Sequence, residues 1–254
     1  LTVNTPTVFN VGASFRLGWE GRFRHLPEHA AALIENPRIM GASLAEVVAR
    51  LRADRDLATA FRDAYGQPVD AANVIDALVS FERSLVTPNA PFDRWLNGDT
   101  DALSAIEVEG YELFKSTGCA SCHQGAAIGA NLFQRQGVFR PLVPPPPDIV
   151  RVPSLRNVAV TAPYMHNGVF RDLSTAVMFY NKYTVNSRQS RTNPETGKPW
   201  GETEFPHTVD TDLLSQGQPI DAGRAQALIA FLKTLTDARY EHLLDPGAAV
   251  PSQP

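Results

Sequence analysis

Gly118-Cys119-Ala120-Ser121-Cys122-His123 contains both cysteines of the chain. The pattern C-x-x-C-H is the attachment signature of c-type haem. Two thiols add to the two vinyl groups of one porphyrin. The two residues between them let both sulfurs reach that edge from a single helical turn. The adjacent imidazole then falls beneath the iron as the proximal ligand. Two other chemistries use the same residue types. A redox dithiol usually sits between a strand and a helix, and no strand pattern precedes Cys119. A zinc site needs further Cys or His at short spacing, and the nearest other histidine is His166. Haem attachment of this kind occurs outside the cytoplasm, so a periplasmic or otherwise exported protein is expected.

Working outward, the segment before the motif reads as helix. Ser104-Ala-Ile-Glu107 is a capping box, and Ile106, Gly110, Leu113 and Phe114 follow at helical spacing. Gly110 is either a tolerated glycine or the point where a second helix comes close. A partner is available near the end of the chain. Asp221 can cap a helix whose Leu228, Phe231, Leu232 and Leu235 share one face. Two such helices crossing near a haem make a cytochrome c-like domain, expected over residues 101–254. Upstream, Ser43-Leu-Ala-Glu46 is a second capping box before Val47, Val48 and Leu51. Leu57 and Phe61 mark a short helix. Asp70 opens another, with Val74, Ile75, Leu78 and Leu85. Residues 87–99 read as a linker. No repeat appears at the usual periods, and no segment alternates long enough for extensive sheet. The expected class is all-α, with long irregular loops. Of these, 140–153 includes Pro144–Pro147 and should be extended and stiff. The polar stretch 184–219 carries Trp200 and Phe205 and reads as a solvated insertion or a partner surface.

Composition narrows the function. The 254 residues are 43% hydrophobic and 20% charged, enough for a packed core. With 23 Lys+Arg against 27 Asp+Glu the formal charge is −4, which argues against nucleic-acid binding. The longest apolar run, Ala227 to Leu232, is far too short to span a membrane. The chain begins at Leu1 without a visible secretory signal, as a mature form, a processed product or a fragment would.

The group opposite His123 would set what the iron does. His166 lies in Thr161-Ala-Pro-Tyr-Met-His-Asn-Gly168, and Met178 and Tyr180 lie in a helix expected from Asp172 to about Asn181. Leu173, Ala176 and Val177 share a face. Tyr180, seven residues beyond Leu173, shares it too, whereas Met178 is roughly 140° round the helix. Phase alone leaves Tyr180 as a ligand or as a core tyrosine with a local hydrogen bond.

Several stretches together are more specific than the haem motif. They are Asn4-Thr-Pro-Thr-Val-Phe-Asn10, Trp19-Glu-Gly-Arg22, Asn36-Pro-Arg-Ile-Met-Gly41, Ala90-Pro-Phe-Asp-Arg-Trp-Leu-Asn-Gly-Asp99, Pro153-Ser-Leu-Arg-Asn157, the Thr161–Gly168 run and Phe231-Leu-Lys-Thr-Leu-Thr-Asp237. In order and spacing the chain resembles the bacterial di-haem cytochrome c peroxidase and MauG family. That resemblance implies a haem peroxidase-type oxidoreductase. Haem c would be held by Cys119, Cys122 and His123, with His166 at the haem edge. Ordinary peroxidases of the family carry a distal Met where this chain has Tyr180. Tyrosine there is similar to the MauG and MbnH branch, which implies a His/Tyr-ligated haem. A phenolate favours oxidised iron.

The resemblance also implies a second haem, on a part preceding Asn4. Residues 1–100 would then be helices completing that N-terminal, peroxide-reactive lobe. Glu28 is its acid/base candidate, one place beyond the family's usual position (occupied here by Pro27), with His25 and His29 as weaker alternatives. Calcium would be held by the backbone carbonyls of Thr161 and Pro163, with an upstream side-chain ligand expected outside the chain. Three functions follow. One is hydrogen-peroxide-dependent oxidation of an aromatic residue of a partner protein. The second is peroxide reduction with electrons from a small redox protein. The third is monohaem electron transfer.

Overall fold

The computed structural model describes residues 4–135, 149–184, 191–201 and 209–245. They form two compact units that divide between Val86 and Thr87, with the segment ending at Phe9 belonging to the second. Pro144–Pro147 and Phe205 lie outside the described residues.

The first unit holds α1 (Leu26–Glu35), α2 (Leu44–Ala53), α3 (Arg55–Tyr65) and α4 (Ala71–Ser84). Each start has a local cause. Pro27 opens α1, where a missing N–H costs nothing. The expected capping box at α2 is formed: Ser43 Oγ accepts from Glu46 N at 3.2 Å, and the Glu46 carboxylate accepts from Ser43 N at 2.9 Å. Asp54 caps α3, and Asp70 and Asn73 cap α4 reciprocally. Val11, Leu17, Leu26, Ala30 and Val79 make the core. On α4 Val74 is buried as expected, but Leu78 is 41% exposed.

The second unit holds α5 (Pro91–Leu96), α6 (Ala105–Ser116), α7 (Cys119–Cys122), α8 (Leu173–Met178), α9 (Thr211–Ser215) and α10 (Ala222–Lys233). Among the described residues the only paired strands are β1 (Phe133–Gln134) and β2 (Val150–Arg151), antiparallel and two residues each. Residues 87–99 are more than a linker. They carry α5, whose Phe92 packs edge-on against Phe231 at 5.1 Å between ring centres. The α6/α10 crossing is the centre of this unit. A Cβ built on Gly110 would overlap the Ala227 carbonyl, so Gly110 marks the close approach. Leu228, Phe231, Leu232 and Leu235 are all buried, as their phase predicts. The 184–219 stretch is not simply solvated: Trp200 is buried against Phe170 and Phe179.

The two units repeat one local design that the sequence reading missed. Asn10 and Asn157 both adopt left-handed φ (56° and 61°) and start a 3-10 turn. An isolated antiparallel bridge follows in each, Leu17 with Phe23 and Tyr164 with Phe170. A positive-φ glycine sits inside each bridge, Gly21 and Gly168. A helix comes next, α1 or α8. Asn10 N donates to Leu85 O after α4, and Asn157 N donates to Leu235 O after α10, both at 2.9 Å. Aligned on those carbonyls, Leu78 and Phe81 of α4 match Leu228 and Phe231 of α10.

Candidate functional site

Gly118, in left-handed φ at 91°, breaks the chain after α6 and starts the single turn α7. That turn places Cys119 and Cys122 about one helical repeat apart, both half-buried and neither in a disulfide. Thr117 Oγ1 is 3.4 Å from Cys119 Sγ. Burial pushes the Cys119 thiol up from its ordinary value, and Thr117 opposes that.

His123 ends the turn. Its Nδ1 is fully enclosed and makes no hydrogen bond of good geometry. Burial pulls the imidazole down to about 4, while the backbone at Ile128 and Pro153 acts in the opposite sense. The ring is therefore neutral at pH 7, which is the form that ligates a metal. A Cβ on Gly129 would overlap the Pro153 carbonyl and stand 3.2 Å from His123 Nδ1, so glycine lets these backbones close around the ring. Two free thiols on one turn and a neutral imidazole with its rear nitrogen against a carbonyl suit covalent haem. Among the described residues no group of three His, Cys, Asp or Glu could hold a metal ion, so no zinc cluster forms there.

The helix that carries the candidate Tyr180, α8, is shorter than expected, and its last turn tightens to 3-10 over Phe179–Lys182. Thr175, Ala176 and Phe179 are buried and Tyr180 is half-buried, so the buried face lies slightly to one side of the expected stripe. Tyr180 stands four residues after Ala176 and flanks that face. Met178 packs on the core, with its sulfur 3.9 Å from Asn181 Nδ2. His166 is buried, and its backbone carbonyl accepts from Asn4 N at 2.8 Å.

Asn4 also reaches the Pro163 carbonyl, one of the two expected at calcium. Its Nδ2 donates to Pro163 O at 2.7 Å and to Met165 O at 3.2 Å. In the first unit Glu28 and His25 are exposed, whereas His29 is buried against Phe23 at 5.4 Å.

Comparison with known proteins places this geometry. Residues 1–101 match the family model of di-haem cytochrome c peroxidase, and residues 107–236 match that of cytochrome c. The chain is 37% identical to methylamine utilization protein MauG of Paracoccus denitrificans, over 91% of the chain and 70% of that protein. It is also 37% identical to cytochrome c551 peroxidase of Nitrosomonas europaea, over 72% of the chain and 60% of that protein. The crystal structure of a MauG-like protein associated with microbial copper homeostasis superposes with a TM-score of 0.74 at 26% identity, covering 99% of this chain and 79% of that one.

Proposed function

The chain belongs to the di-haem cytochrome c peroxidase and MauG family and is a haem oxidoreductase with covalently bound haem c; from that premise we propose that it acts in peroxide-dependent oxidation of an aromatic side chain of a partner protein. The observation that carries this reading is Tyr180, half-buried beside the buried face of α8, while the Met178 sulfur is turned to Asn181.

Bound at this site, haem supplies one-electron redox chemistry. The residues of the chain do the rest. Cys119 and Cys122 would form the thioether links. His123, whose Nδ1 is enclosed, would ligate the iron through its imidazole. Tyr180 would supply a hard anionic oxygen ligand, which favours oxidised iron over the electron-carrier state. His166 would lie near the ring. The Thr161 and Pro163 carbonyls would offer hard oxygens to calcium.

The first unit, residues 10–86, is proposed to belong to a second haem lobe; the structure groups residues 87–100, expected there from the sequence, with the second unit. Leu78 and Phe81 support this, since they are 41% and 62% exposed where their counterparts Leu228 and Phe231 are 2% and 0%. Glu28 is the proposed proton carrier of that lobe. No helix among the described residues is long and apolar enough to cross a membrane, and a periplasmic location is proposed from the haem attachment.

Redox titration and absorption spectra of the haem-loaded protein test the role of Tyr180. The wild type should show a low midpoint potential without a methionine-sulfur band. Tyr180→Met should raise the potential and abolish partner oxidation while keeping haem attached. An unchanged spectrum and potential in that variant would remove tyrosine from the iron and leave a peroxide-reducing enzyme as the better reading.

A further inference from the structure

A salt bridge inside the second unit has no part in the chemistry above. Arg156 and Asp93 meet in a two-pronged pair, Nη2 to Oδ1 at 2.7 Å and Nη1 to Oδ2 at 2.8 Å, with side chains only 14% and 11% exposed. The same guanidinium donates from Nε to Ala126 O at 2.6 Å and from Nη1 to Thr87 O at 3.2 Å. Asp93 is held in turn, since its Oδ2 accepts from Ala90 N at 3.1 Å. One arginine therefore joins the start of α5 to the turn that follows the C-x-x-C-H motif.

From Arg156 the grip passes to His123 in short steps. Ser154 Oγ donates to Ala127 O at 2.7 Å, and Leu155 N donates to Ile128 O at 3.1 Å. Pro153, one residue further back, presents its carbonyl beside Gly129 and the His123 ring. Segment 153–156 is thus laid along 126–129, with Arg156 at one end and the imidazole at the other. A buried ion pair is weak evidence for net stability, because desolvation offsets its attraction. Its planar fork does specify geometry, which a lysine cannot reproduce. A backbone carbonyl packed beside the rear nitrogen of a metal-bound histidine orients the ring and tunes its basicity even where the hydrogen-bond geometry is poor.

We propose that the Arg156–Asp93 pair is a positioning device for the proximal ligand: it holds the Pro153 carbonyl and the 126–129 turn against His123 and thereby keeps the haem potential low. The proposal rests on His123 being the proximal ligand and is independent of the group opposite it.

The test uses haem-loaded protein carrying Arg156→Gln, Arg156→Lys or Asp93→Asn, each measured well below its unfolding temperature. Arg156→Gln should keep both thioether links and raise the midpoint potential by about 59 mV, a tenfold shift in a one-electron equilibrium. Amide exchange at Ile128 and Gly129 should accelerate while the α6 and α10 amides stay protected. Arg156→Lys should shift the potential in the same direction by less, and it decides the matter if Arg156→Gln does not fold. Combining Arg156→Gln with Asp93→Asn should add little to the single change, because the two act as one unit. A lowered melting temperature with unchanged potential and unchanged exchange at 128–129 would make the pair merely structural and overturn the proposal. The Tyr180 reading fails on different evidence, the spectrum of Tyr180→Met.

Discussion

At the scale of residues, Tyr180 and Met178 are both half-buried and differ in what surrounds them. Tyr180 and Met178 are two places apart, yet the thioether sulfur is engaged by Asn181 and the phenol flanks the buried face of α8. Glu82 on α4 is a contrasting case. Burial raises its carboxyl above the usual 4.5, and Oε2 is enclosed without a hydrogen bond. A carboxyl whose folded-state pKa is raised binds its proton more tightly folded than unfolded. Its stabilising effect is complete below the unfolded value near 4.5 and is lost as pH rises through the folded value. Urea midpoints of the wild type should therefore fall as pH rises above 4.5 more steeply than those of Glu82→Gln, which should be the more stable at pH 7. Parallel pH profiles for the two proteins would show that Glu82 is solvated instead.

At the scale of elements, the α6/α10 crossing sets the frame on which the haem motif hangs. Backbone meets backbone at Gly110, with Ala227 and Phe231 facing it. A methyl there can be accommodated only by moving a helix, because the Ala227 carbonyl cannot swing away as a side chain would. Gly110→Ala should therefore destabilise by at least the ~1–3 kcal/mol typical of overpacking, despite alanine's better helix propensity. Thermal unfolding reads this directly. A variant as stable as the wild type would mean that the crossing is loose.

At the scale of the molecule, the repeated design of the two units carries information that neither unit shows alone. In the second unit Leu228 and Phe231 are buried at the helix crossing. In the first, Leu78 and Phe81 project from the same places on α4 and are exposed. These two side chains, three residues apart on α4, make an apolar spot on the first unit. Residues 1–254 should bind a hydrophobic dye, and Leu78→Lys with Phe81→Lys should remove most of that fluorescence with little change in melting temperature. Equal dye binding by both proteins would place the apolar surface elsewhere.

Local chemistry was legible in the chain by itself. The haem signature depends on spacing within five residues. The caps at Ser43, Asp70 and Asp221 depend on contacts within one turn, and the α10 stripe depends on helical period. Each of these is decided by neighbours in sequence, so each could be read there. Contacts between distant residues were not. The phase of α4 put Leu78 on the apolar stripe, but period does not say what covers that stripe, and in the described residues Leu78 stays 41% exposed. Trp200 looked like part of a solvated insertion until Phe170 and Phe179 were seen to enclose it. Asn4 could be placed beside Pro163, and Arg156 between Asp93 and the haem turn, only by tertiary packing. A hydrogen bond or ion pair spanning 60 to 160 residues leaves no periodic trace, since its geometry exists only once the chain has folded.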